Sequence, residues 1–389
     1  MDTDFLTRAR GIARPLAAVR HELHRFPEPG NAEERASRLI AENLRALDIE
    51  VQRPFGTAVV GVLRGALPGK CAALRADMDA LPVREDTGAD FASRTAGWMH
   101  ACGHDFHTAA ALGAARLLSE ARGSLAGTVK FFFPPDEEGS GGAQRMIDAG
   151  CLDSPRVDAV FGAHVSPDLP AGSVGVRYGK FYAASNPFRA VITGLSAHGA
   201  EPEKGVDALY AAAGAVRAVR ELARTLSEKN GKTVISVCTL EAGSAENVIA
   251  GSAQMRGMIR ALGDGARREA SDRLRELIVS AARSEGASAE VEIRWGYPGI
   301  VNHDGPCRLV ENTARRLLGG ESVFVLPEPT MTTEDFGCFL QRRPGCFYHF
   351  GVGGGAALHS ARFLPDDALL PGAAALHAAV ISAFLEGDG

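Results

Sequence analysis

The 389-residue chain lacks the features that would assign it to several broad classes. No basic run stands out: Lys and Arg are dispersed, the formal net charge is −5 and the pI is near 6.1. That balance argues against a nucleic-acid partner or an anionic membrane surface. No run approaches the roughly eighteen apolar residues of a membrane span. The first ten residues carry Asp2 and Asp4 where a signal peptide would be basic, and no apolar stretch follows them. The seven cysteines (71, 102, 151, 238, 307, 338 and 346) are odd in number and form no paired framework, which fits a reducing compartment. Internal repeats and low-complexity segments are absent too. A cytoplasmic, mildly acidic globular protein is the expectation. Its 46% apolar and 23% charged residues are ordinary for that class, and its length suggests two domains.

What is present is a repeated alternation. Residues 5–26 and 31–47 read as helices, with Asn31 a candidate cap for the second and Glu33 and Glu34 in its first turn. Four apolar segments then each run into polar residues: Val59–Leu63; Cys71–Ala76 before Asp77 and Asp79; Val129–Phe133 before Glu137 and Glu138; and Ala159–Gly162 before His164. A helix over about 105–121 lies among them. Continuous apolar strands alternating with helices imply a mostly parallel sheet with helices on both faces. Ligands of such sheets bind beyond the carboxyl ends of the strands, where these acids and imidazoles sit. From about residue 186 the pattern changes to β-α-β-β-α-β, ending in the alternating strand Glu290–Trp295. That is the order of a small α+β ferredoxin-like unit, and its one-faced sheet would leave a surface free for pairing. The fold class expected is α/β, with a discontinuous main domain (1–185 and 300–389) interrupted by the inserted domain 186–299. A helix over 371–385 closes the chain.

The chemistry concentrates in Met99–His107, which holds Cys102, His100, His104 and His107, and in the doubled carboxylate Glu137-Glu138 about thirty residues later. Imidazole, thiolate and carboxylate are the side chains that hold divalent transition metals, and an extra carboxylate beside them suits a proton carrier. A lone Cys or His is more often a core residue or a helix cap. The further placement of Glu138, His164 and His359 at strand ends or in Gly-rich loops reverses those odds for Cys102 and His104. His100 and His107 read as supporting residues. Of Asp77 and Asp79, one could orient a ligand, as carboxylates behind metal-bound imidazoles commonly do. Gly139–Gly142 looks like a phosphate cradle, but the neighbouring acids would repel phosphate and the Lys of a nucleotide-binding loop is missing. His198, taken alone, is a loop histidine. A redox role for Cys102 is disfavoured because no second Cys lies close by.

In order, the segments His21–Glu28, Arg75–Pro82, Met99–Asp105, Glu137–Gly139, Gly162–Val165, His198–Ala200, Glu246–Ile249, Glu334–Phe336 and Leu358–Ser360 resemble the metal-dependent aminoacylase/carboxypeptidase family. The similarity is greatest to its amidohydrolase branch of hippurate, indole-acetyl-amino-acid and N-acetyl-diaminopimelate hydrolases, and it covers nearly the whole chain. The resemblance implies a catalytic α/β domain with an inserted dimerisation domain, and a homodimer acting on a small N-acyl amino acid. It implies Cys102, His104, Glu138, His164 and His359 as ligands of two divalent metals per subunit (Zn first; Mn, Co or Ni as alternatives), with Cys102 bridging. Glu137 would be the general base and Asp79 the acid behind a ligand. His198 would steady the oxyanion from across the dimer, and Asn247 and Arg260 would meet the substrate carboxylate. Asp77 stands where other branches carry a ligating His. Three departures stand out: Pro134-Pro135-Asp136 replaces Gln-Pro-Ala before the Glu pair, and Ala250 and Ala361 each replace a proline. A dipeptidase or carboxypeptidase on the same scaffold is the alternative, and a non-catalytic metal- or metabolite-binding protein is a more distant one.

Overall fold

The structure, a computed structural model, describes residues 4–387. The chain forms two compact units. The first runs up to Gly179, returns for Val301–Pro327 and resumes at Asp335; the second comprises Lys180–Ile300 and Glu328–Glu334.

The first unit opens with α1 (Phe5–Gly11), α2 (Ala13–Arg25) and α3 (Glu34–Arg45). The expected helix 5–26 is thus two helices, broken at Ile12. The expected cap of α3 is also wrong. Asn31 takes a left-handed φ of 64° ahead of the helix, and the α3 amides of Arg35 and Ala36 donate instead to the Glu28 carboxylate. A longer-range acid has taken the capping task that the local sequence offered to Asn31.

The strands β1 (Glu50–Gln52), β2 (Val59–Arg64), β3 (Leu67–Arg75), β4 (Ala126–Phe133), β5 (Ala159–Ser166) and β6 (Val174–Val176) belong to this unit's sheet. The two-residue strands β7 (Gly179–Lys180) and β12 (Val301–Asn302) fall where the chain passes from one unit to the other. The sheet is completed by β13 (Val323–Val325) and β14 (Gly345–Gly351), in the order β1-β2-β4-β3-β5-β14-β6-β13. Its centre, β4-β3-β5-β14, is parallel throughout. Among the unit's helices are α4 (His104–Glu120), α5 (Ala143–Asp148), α8 (Asp304–Leu318), α9 (Gly337–Leu340) and α10 (Leu370–Glu386). Helices cover both faces: Phe161 of β5 meets Phe384 of α10, while Phe132 of β4 stacks on Phe339 of α9. Burial on both sides is why β5 is apolar along nearly its whole length.

One expectation needs amendment. The segment Asp367–Glu386 is long and apolar enough to cross a membrane, yet 67% of its most apolar stretch is buried inside the protein. Its composition reflects a helix enclosed by core, where Leu376, Ile381 and Val380 are fully covered.

The second unit is β8 (Ala184–Thr193), α6 (Ala208–Asn230), β9 (Thr233–Ala242), β10 (Ser252–Ala261), α7 (Asp264–Ser284) and β11 (Ser288–Ile293). Its antiparallel sheet has the order β11-β8-β10-β9, the ferredoxin-like arrangement. The two helices and the sheet share a core of residues such as Ala212, Val219, Leu274 and Ile278. The residues 328–334 join this unit through backbone bonds from Thr330 to Phe181 and from Ala183 to Thr332.

Candidate metal centre

Four parallel strands end on one edge of the main sheet, and the segments after them carry the acids and imidazoles. Asp77 and Asp79 follow β3. Glu137 and Glu138 follow β4 on a turn opened by Asp136. His164 lies near the end of β5, and His359 lies in the loop after β14. Cys102 and His104 come from the turn into α4. Gly103 makes that turn with φ 87°, a conformation that side chains disfavour.

Asp136 is fixed by its own turn and by Asn31. Its carboxylate accepts from Asn31 at 2.6 Å, from the Ser140 amide at 2.9 Å and from the Ser140 hydroxyl. Its amide donates to the buried Glu33 at 2.9 Å. The residue that departs from the family pattern closes the turn bearing the Glu pair.

Hydrogen bonding decides which imidazoles are available. His107 uses both nitrogens: Nδ1–H donates to Asp77 at 2.7 Å, and Nε2 accepts from the Val165 amide at 2.9 Å. It supports the site and has no lone pair left over. His104 turns Nδ1 toward the Asp79 carbonyl at 3.0 Å and carboxylate at 3.1 Å. Both are acceptors, so Nδ1 carries the hydrogen and Nε2 points away from them. His164 likewise donates Nδ1–H to the Val165 carbonyl at 2.7 Å and presents Nε2 to Cys102 Sγ at 3.3 Å. These are the tautomers in which imidazole binds metal, with the second nitrogen fixed from behind.

Among the described residues the buried atoms His104 Nε2 and Glu138 Oε1 have no hydrogen-bond partner, although they approach to 3.9 Å. His359 Nε2 lies 3.3 Å from the same Glu138 oxygen. Leaving such atoms unsatisfied is costly. Among the described residues five triads offer ligand atoms within 4.8 Å of one another, and two of them contain Cys102: Cys102–His104–His164 and Cys102–Glu138–His359. Cys102 belongs to both. The donor set fits two divalent cations sharing a sulfur.

Charge supports that fit. Burial alone would lower the His104 pKa, but Asp77, Asp79 and Glu138 outweigh it and raise the value to about 10. Burial, with Glu138 and Glu137 adding to it, pushes the Cys102 thiol well above its usual range. Burial and the neighbouring His107 hold His164 neutral. A cation in this excess of negative charge would take the place of the His104 proton and stabilise a thiolate.

Comparison with known proteins decides the family. The family described as Peptidase family M20/M25/M40 matches residues 73–382. The chain belongs to this family. Thermostable carboxypeptidase 1 of Saccharolobus solfataricus is 36% identical, over 95% of either chain. N-acetylcysteine deacetylase of Bacillus subtilis is 34% identical, over 91% of this chain and 93% of its own. A crystal structure of a dinuclear metal-binding peptidase of family M20 from Bacillus subtilis superposes with a TM-score of 0.83 at 32% identity, covering 97% of this chain and 99% of that one. The protein is therefore an M20-family metal-dependent hydrolase of mixed α/β fold.

Within this M20 protein a supporting network reaches the Glu pair. Asp79 accepts the Glu138 amide at 3.0 Å. The Asp335 amide donates to Glu137 at 3.4 Å, and the Asp335 carboxylate accepts the Gly142 and Ala143 amides and faces Arg75 at 2.6 Å. Arg75 also holds Asp77 at 2.6 Å. In the sequence Arg75 and Asp335 are visible only as members of two separate motifs. Their pairing cannot be read along the chain because they stand 260 positions apart.

The other residues that the sequence suggests for the site, His198, Asn247 and Arg260, lie in the second unit. His198 pairs with Val248 across an isolated bridge, and the Gly199 amide donates to the Asn247 carbonyl at 2.8 Å. His198 and Asn247 are thus neighbours at the end of β10 that begins with Ser252. Arg260 lies eight residues along that strand, opposite Ser185, and donates to the Met331 carbonyl at 3.0 Å. At about 3.3 Å per residue the separation along the strand is roughly 26 Å. The unit brings His198 and Asn247 together and keeps Arg260 apart.

Proposed function

We propose that the protein hydrolyses the amide bond of N-acyl or N-aroyl amino acids to a carboxylate and a free amino acid. The observation that carries the reading is the pair of ligand triads sharing Cys102, with the buried Glu137 beside them. Cys102, His104, Glu138, His164 and His359 would hold the metals. Zinc is the first choice for thiolate and imidazole, with Mn, Co and Ni as alternatives. The metals would supply Lewis acidity, lowering the pKa of water and polarising the amide carbonyl. Glu137 takes a proton from the attacking water and delivers it to the departing amine. Asp79 fixes His104 and the Glu138 backbone. The name of the deacetylase relative, which concerns an N-acyl amino acid, supports this substrate class.

Substrate contacts are assigned to His198 for the oxyanion and to Asn247 and Arg260 for the carboxylate, where an Arg fork suits two oxygens. The separation of His198 and Asn247 from Arg260 within one unit supports a homodimer. In that arrangement the inserted unit of one protomer lends His198 and Asn247 to the site of its partner. The second unit would then be the dimerisation domain inserted between the two parts of the catalytic domain. A cytoplasmic location fits the free state of the seven cysteines among the described residues.

The deciding experiment is Glu137→Gln. Metal content should stay unchanged while turnover falls by about 10²–10⁴-fold, the scale of general-base catalysis; near-normal turnover refutes the mechanism. A panel of acyl-amino acids against dipeptides tests the substrate. The carboxypeptidase relative supports peptide cleavage as the second reading, and preference for dipeptides would select it.

A further inference from the structure

The motif His21–Glu28 contributes nothing to the ligand triads, yet its α2 residues enter the protein interior. Arg20 is fully buried and bridges two segments. Its Nε donates to Asp105 at 2.9 Å, in the first turn of α4 directly after His104. Its Nη1 donates to the Pro365 carbonyl and to Asp367, both at 2.6 Å. His24 holds the same Asp105 oxygen at 2.9 Å and reaches Glu85 at 3.1 Å. His21 holds the other Asp367 oxygen at 2.5 Å.

The bridged segments are the two that meet at the Cys102–Glu138–His359 triad. One is the Cys102–His104 turn. The other is the stretch from His359 to Asp367. His359 itself has φ 64°, a conformation that persists in a non-glycine residue only when its surroundings fix it. Its amide is bound to the Ala101 carbonyl at 2.8 Å. Arg20 secures the segment further along. A buried Arg–Asp pair seldom gains stability over apolar side chains of similar volume, so folding energy alone does not account for it.

We propose that Arg20, backed by His24 and Asp367, is a positioning clamp that sets the spacing between Cys102 and His359 and so tunes the affinity of one metal position selectively. The Cys102–His104–His164 triad joins α4 to β5 and does not include the clamped 359–367 segment. The proposal rests on the two-metal reading above, and its test separates the two.

The test uses full-length protein stripped by chelator and titrated with Co²⁺, followed by visible absorption and by metal analysis after dialysis. The unsubstituted protein should take two equivalents. Arg20→Lys keeps the charge but loses the fork. It should bind one equivalent normally and the other about 10–100-fold more weakly, the usual scale for groups behind metal ligands. Asp367→Ala lies at a partly exposed side chain and should weaken the same equivalent; it decides the matter if Arg20→Lys does not fold. Folded variants that bind both equivalents with unchanged affinity, or that weaken both equally, overturn the clamp. Fewer than two equivalents in the unsubstituted protein overturns the two-metal reading on which the clamp depends.

Discussion

Replacing Asp79 by asparagine changes one atom in a side chain that supports two proposed ligands at once. One carboxylate oxygen lies 3.1 Å from His104 Nδ1, and the other accepts the Glu138 amide at 3.0 Å. Both partners present hydrogens. An amide offers only one oxygen, so whichever way the substituted side chain turns, its NH₂ group confronts one of them. Hydrogen bonds to charged groups contribute about 1.5–3 kcal/mol each. The His104 contact is partly backed by the Asp79 backbone carbonyl at 3.0 Å, which the substitution retains, so the lower half of that range applies. The expected loss in metal affinity is about tenfold to fortyfold, since about 1.4 kcal/mol is one factor of ten. Competition between the folded variant and a chelator of known affinity would measure it, with circular dichroism to establish that the fold is intact. Unchanged affinity for both equivalents would refute the claim that Asp79 orients the ligands.

Three further outcomes follow from the geometry. Burial lowers the pKa of His24, but Asp105 and Glu85 outweigh it and bring the value to about 9; a raised folded-state pKa gives stability present below about 6.5 and lost as pH rises through 9. In metal-free protein His24 should therefore contribute at most about 3 kcal/mol to the denaturant stability lost across that window, alongside His104, whose pKa is raised to about 10, and His24→Gln should reduce the slope by that share; an equally steep slope in the variant contradicts the assignment. Gly103→Ala would force a side chain into φ 87° with its Cβ 2.7 Å from Val165, costing about 2–4 kcal/mol, and a thermal midpoint equal to the parent's would show that the turn relaxes freely. Mixing inactive His198→Ala and Glu137→Gln proteins should restore part of the activity if His198 serves the partner's site, whereas no recovery in verified heterodimers would place it in its own.

The legible part of the site was its donor chemistry. Cys102, His104, Glu138 and His164 stood out because a turn or strand end held each beside a regular apolar segment, and the structure gathers them with His359. The capping of α3 was misread because Asn31 is the better local candidate, whereas Glu28 reaches the helix only once the chain has folded back. The final helix, expected over 371–385, spans Leu370–Glu386; its apolar composition matches its largely buried position in the core.

Taken alone, the amino-acid order determined the alternation of buried strands and helices, the β-α-β-β-α-β insertion and the presence of a ligand set suited to divalent metals. Those properties are periodic or local, so they can be read along one dimension. Only the tertiary structure decided that His107 is occupied by Asp77 and Val165 while His104 and His164 keep a nitrogen for metal. It alone brought Arg75 to Asp335 and Arg20 to Asp105 and Pro365. Whether a polar atom is satisfied depends on what surrounds it in space, and here those neighbours come from as far as 347 residues away.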